Sequence, residues 1–131
     1  MRIKRIDFEC MSIYITFQKK VISEQVFGLL FGISLAMTGV FQHAPLVDLN
    51  SVDLFQDQMH SIFASTTGLA FTLLAINHGF ISVSKQRIIS FTMAIIAMLL
   101  SVAIFSFPQW MGLFQRILFM SAFAWLFFYK D

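Results

Sequence analysis

The stretch IISFTMAIIAMLLSVAIFSF, residues 88–107, decides the fold, because its 20 residues carry no charge and nothing more polar than serine and threonine. About 20 such residues, rising 1.5 Å each as a helix, cross the roughly 30 Å hydrocarbon layer of a bilayer. Lys85 and Arg87 stand just before the stretch and Pro108 just after it. Beyond the proline, residues 110–129 form a second apolar run that carries Gln115 and Arg116. One helix through both runs would measure about 63 Å, well past the roughly 40 to 45 Å of a whole bilayer with its headgroups. The chain is therefore expected to turn at 107–110. Proline suits such a turn, since it pushes the preceding residue out of helical geometry and loses no needed hydrogen bond in the first turn of the next helix.

Upstream lie two more uncharged stretches, one between Glu24 and Pro45 and one between Asp57 and Lys85. The expected fold is all-α, a polytopic bundle of four membrane-spanning helices at about 26–44, 60–83, 88–107 and 110–129. Residues 1–24 are set apart as a basic N-terminal segment, and 25–131 as the transmembrane domain. In that segment the apolar patch at 6–17 is too short to span and is interrupted by Asp7 and Glu9. It reads as a lead-in that grips anionic headgroups, with an interfacial helix as the alternative.

Composition agrees with a lipid environment. The chain of 131 residues is 58% hydrophobic and 12% charged, with a mean hydropathy of +0.79, whereas soluble domains average about 25% charged residues. Seventeen phenylalanines and eight methionines could not all be hidden in so short a chain, because small domains bury only about two-thirds of the surface that their unfolded chains expose. A net charge of +2, scattered along the chain, argues against nucleic-acid binding. The single Cys10 offers neither an internal disulfide nor a zinc site. There is no glycine-rich phosphate loop, no HExxH and no GxSxG, and no cofactor or metal is expected.

Lysine and arginine stay on the cytoplasmic side of short loops. Arg2, Lys4, Arg5, Lys19 and Lys20 precede the first span, Lys85 and Arg87 separate the second from the third, and Lys130 follows the fourth. The connection between the first two spans holds Asp48, Asp53 and Asp57 and no basic residue. Both termini are accordingly expected inside and the acidic connection outside. Trp110 and Tyr129, at opposite ends of the fourth span, fit the aromatic belts of the two interfaces.

Lipid supplies no hydrophobic drive for helices to associate, so small residues that permit close backbone approach are the seams to look for. In the second span Ser61, Ser65, Gly68, Thr72, Ala75, Gly79 and Ser82 recur at alternating intervals of four and three, a spacing that keeps one face toward a partner helix. Ser90, Ala94, Ala97 and Ser101 repeat the theme in the third span. Gly28, Gly32 and Ala36 form an extended GxxxG in the first, which would permit a tight contact there.

Arg116 is the ionisable residue that asks for a reason, at a cost of about 2.5 to 3.5 kcal/mol on insertion scales at a helix centre. It lies about 9 Å along the helix from Trp110, within reach of outer headgroups for a long side chain. Asp57 and His60, three apart on one helical face, and the adjacent Gln115 are its expected neighbours in an outer cluster. His78, with Asn77 beside it, lies about 27 Å from His60 along the same helix and is expected to hydrogen-bond across a seam. A cation held by His43, Asp48, Asp53, Asp57 and His60 is chemically feasible, but no recognised ligand spacing supports it.

Gly39-Val-Phe at the end of the first span, Met59-His60-Ser61 opening the second, and Gly112-Leu-Phe-Gln-Arg116 followed by Trp125 resemble marks of the "domain of unknown function 998" family of prokaryotic integral membrane proteins. The resemblance covers about residues 28–129, the C-terminal part of the family pattern, which usually has further helices before it. Phe41-Gln42-His43 stands where the family tends to have Phe-Pro and a nearby acid. The resemblance implies a multi-pass protein of the prokaryotic cytoplasmic membrane, and no established activity or catalytic residue.

The combined expectation is a small non-enzymatic membrane subunit. It would assemble with itself or with another membrane protein through its small-residue seams, and would bind lipid headgroups near Arg116. The alternative is a small transporter or channel whose outer vestibule is formed by Asp57, His60 and Arg116.

Overall fold

The computed structural model describes residues 3–41 and 53–128. Four helices follow one another: α1 Ile3–Val40, α2 Leu54–Ile81, α3 Ser84–Ser106 and α4 Met111–Phe128. A single 3-10 turn, Pro108–Trp110, joins α3 to α4. Each of the four contains a stretch long and apolar enough to cross a membrane, and among the described residues there is no strand.

The boundaries have local causes. Asp53 caps α2, its carboxylate accepting from the backbone N–H of Phe55 at 3.0 Å and of Gln56 at 3.4 Å. α2 therefore starts six residues before His60, and Asp57 falls in its first turn, where an acidic side chain faces the positive end of the helix dipole. The turn between α2 and α3 is made by Ser82 and Val83 in extended conformation and by Ser84 at φ 55°, in the left-handed region. At the other end of α3 the N–H of Phe107 still donates to the Ala103 carbonyl at 2.9 Å before Pro108 stops the helix. The hairpin expected at 107–110 is present, and α3 packs beside α4.

The first helix differs from its expected extent. It ends at Val40, with residues 42–52 outside those described, and it runs unbroken from Ile3. The backbone of the basic lead-in is thus continuous with the span. At 38 residues α1 is about 57 Å long, while its membrane-length stretch is Ile22–Val40.

The bundle runs up and down. α1 lies against α2, α2 against α3, and α3 against α4, while Phe31 of α1 meets Phe123 of α4 at 6.4 Å between ring centroids and closes the circle. α2 is the central element, with 39% of its membrane-length window buried against 17% for each of the others. The core is Phe31, Ala70, Phe71, Leu74, Ala97, Leu118, Ala122 and Trp125, with Phe71 and Trp125 edge to face at 5.7 Å.

The serines and threonines of the spans are satisfied inside their own helices. Ser34, Thr38, Ser65, Thr67, Thr72, Ser90 and Ser101 each donate to the carbonyl four residues earlier, at 2.7 to 2.9 Å. A hydroxyl that bonds its own backbone behaves toward its neighbours as a small, nearly apolar group. This is why the most polar of the four spans can also be the most buried.

Candidate functional site

The seam expected on α2 faces α3 and is tight toward the Ser84 end. Ala75 and Ala97 are fully buried, with Ser90 and Ala94 close to it. A Cβ added to Gly79 would stand 3.1 Å from the ring of Phe91, and one added to Gly68 would stand 3.3 Å from Ser101 Oγ and 3.6 Å from Leu118 Cδ2. Toward the Pro108 end the same stripe opens. Ser61 and Ser65 are exposed and line a cleft of about 320 Å³ between α2, α3 and α4. Leu69, Met98, Phe105 and Phe119 provide much of its apolar wall, and Gln115 stands in it from α4. Along α2 the lining runs from Ser61 to Thr72, and Leu118, which also lines the cleft, belongs to the core with Phe71 and Trp125.

Of the expected cluster, Asp57 and His60 lie near the start of α2 and Arg116 lies on α4. Arg116 is exposed one residue after the cleft-lining Gln115. His60 instead turns to the end of α1, its Nδ1 2.8 Å from the Phe41 carbonyl oxygen, which is one of the carbonyls that a helix end leaves without an intrahelical partner. Phe41 is further fixed by stacking on Phe63 at 5.6 Å and by an edge contact with Phe55 at 6.4 Å. His60 thus joins α1 to α2 and does not reach the cleft lining. Among the described residues no group of His, Cys, Asp and Glu side chains could hold a metal ion; His43 and Asp48 lie outside those residues.

Gly28 and Gly32 have nothing within 4 Å of an added Cβ, and Gly32 and Ala36 are exposed. Among the described residues, none stands close enough to be met by a side chain added at either glycine. α1 meets the bundle through Phe31, Ser34 and Thr38, which are buried, on its other face.

A polar contact that sequence spacing leaves out sits at the Ser84 end. Glu24 of α1 accepts from His78 Nδ1 of α2 at 2.5 Å, the side chains being 20% and 10% exposed respectively. The His78 ring stands perpendicular to Trp125 of α4, with 5.2 Å between centroids. His78, expected to bond across the small-residue seam, bonds instead to α1, at a residue read only as the charged border of the first span. The available signal was the threading itself, since antiparallel α1 and α2 put the start of one span level with the end of the other. No family model, curated protein or solved structure matches this chain.

Proposed function

We propose that this chain is a small, non-enzymatic, multi-pass membrane subunit that binds a lipid at one face. The acyl chain would lie in the cleft between α2, α3 and α4, and Arg116 would hold an anionic headgroup beside it. The observation that carries this reading is the cleft itself, an apolar recess with Gln115 at one side and an exposed guanidinium one residue further along the same helix. A bundle four helices wide leaves such a recess open to the surrounding hydrocarbon, and an arginine near a headgroup layer is favoured by the phosphates it can reach.

The exposed Lys19, Lys85 and Arg87 at one end, with Asp53 and Asp57 at the other, support a threading with both termini in the cytoplasm. The resemblance at Gly112 to Arg116 is what supports the cytoplasmic membrane of a prokaryote as its location. The outward face of α1 with Gly28, Gly32 and Ala36 supports assembly with a second copy or another membrane protein. The transport alternative would need a path past the Phe71 and Trp125 rings, so lipid binding is the reading preferred.

The test is mass spectrometry of lipids that copurify with the protein in mild detergent. The native chain is expected to retain phospholipid, Ser65→Phe to lose it by filling the cleft, and Arg116→Gln to lose the preference for anionic headgroups. Equal lipid retention by all three proteins would refute the reading.

A further inference from the structure

We propose that Glu24, His78 and Trp125 form a proton-binding switch inside the bundle, in which His78 takes up a proton at Nε2 and the indole of Trp125 responds. The inference is independent of the lipid reading, because it uses none of the cleft residues. It starts from a deficit. His78 Nε2, Trp125 Nε1 and Asn77 Nδ2 are buried and have no hydrogen-bond partner among the described residues. Trp125 is 1% exposed and His78 8%, and a buried polar atom left without a partner costs about 1 to 3 kcal/mol. Buried polar groups are nearly always hydrogen-bonded, so unused capacity here calls for an explanation.

The chemistry follows from the one bond that is made. An ionised carboxylate only accepts, so Glu24 fixes the proton of neutral His78 on Nδ1 and leaves a lone pair at Nε2. Protonation there forms one N–H bond and breaks no hydrogen bond already present. It converts a contact of net charge −1 into a neutral ion pair, with the proton supplied by water at the Ser84 end, where both side chains keep a little exposure. Among the described residues, α1 contributes Glu24 and, five residues earlier, the exposed Lys19. α3 contributes Lys85 and Arg87, both exposed, with Arg87 lying over the Phe91 ring at 5.9 Å. α4 contributes the uncharged Trp125, and its Arg116 is about 13 Å further along the helix.

Trp125 carries the state onward. An imidazolium is drawn to the face of an indole more strongly than to any other aromatic ring, so the perpendicular pair at 5.2 Å is the contact that changes. Trp125 also meets Phe71 edge to face at 5.7 Å, and Phe71 meets Phe31 at 5.7 Å. Proton occupancy at His78 is thereby linked to the packing of α1, α2 and α4 at mid-bundle.

The experiment uses Trp110→Phe, which removes the exposed indole and leaves Trp125 as the sole tryptophan reporter. Its emission in detergent is followed from about pH 4 to about pH 9, a range that brackets imidazole titration. A protonated imidazole quenches an adjacent indole, so the expected result is a single sigmoidal loss of emission on acidification. The loss should vanish when His78→Gln is added, and its midpoint should move when Glu24→Gln is added. Flat emission in Trp110→Phe alone overturns the proposal, whether or not the double variants fold. So does a transition that survives His78→Gln.

Discussion

Gly79 and Phe91 touch face to backbone: the phenylalanine ring of α3 lies where the side chain of any larger residue on α2 would begin, 3.1 Å from an ideal Cβ. Phe80 meets the same ring edge to face at 5.3 Å and Arg87 covers it at 5.9 Å, so the ring has little room to retreat. At this point the α2/α3 seam leaves no free room for even one more carbon atom on α2.

Gly79→Ala should therefore destabilise the protein by about 1 to 3 kcal/mol, the usual cost of overpacking a closed site. Gly32→Ala, with open space at its Cβ, should leave thermal stability in detergent unchanged or raise it slightly, since alanine is the better helix former. Thermal unfolding of the two variants side by side checks this. Equal effects would mean that the two faces are packed alike.

Ser84 holds φ at 55° without being glycine. The left-handed region costs about 1 to 2 kcal/mol for a residue with a Cβ. Ser84→Gly should then be neutral or stabilising, the relief of strain offsetting glycine's extra unfolded-state entropy. Ser84→Val, with a branched Cβ, should lower the melting temperature clearly. A thermal shift assay on both variants distinguishes a strained turn from a relaxed one.

Asp53→Ala removes the carboxylate that serves the N–H groups of Phe55 and Gln56. The expected loss is about 0.5 to 2 kcal/mol, and Asp53→Ser should recover much of it. Fraying of the first turn of α2 would appear as faster amide exchange at Phe55 and Gln56, with exchange at Leu74 unaltered.

With Cys10→Ser as background, a cysteine introduced as Gln109→Cys should react with a membrane-impermeant reagent in intact cells. One introduced as Lys85→Cys should react only after permeabilisation. Both positions are exposed or border a turn at opposite ends of the bundle. The reverse pattern would invert the proposed threading.

Much of this architecture is legible in the residue order, for identifiable reasons. Pro108 and the charges flanking residues 88–107 mark a turn and two borders whatever the tertiary context, and the helices end close to them. Of the small-residue stripe on α2, Gly68 and Gly79 leave no free room for a Cβ, whereas Ser61 and Ser65 of the same stripe are exposed. Gly28 and Gly32 show where that logic stops. Smallness says that a neighbour could approach, but which side of α1 meets the bundle is settled by Phe31, Ser34 and Thr38. Arg116 and Asp57 stand on different helices, α4 and α2, and residue order alone does not fix the rotation of one helix against another. Glu24 and His78 are 54 positions apart, and only the packed bundle shows them to be neighbours.

α1 outlasts the bilayer. Its membrane-length stretch is Ile22–Val40, and the same unbroken helix continues back to Ile3, about 28 Å of further rod at 1.5 Å per residue. A stiff mast of that kind shares one axis with the residues that hold Glu24 against His78. Any tilt of that rod is therefore carried undivided between Ile3 and the turn that holds Glu24.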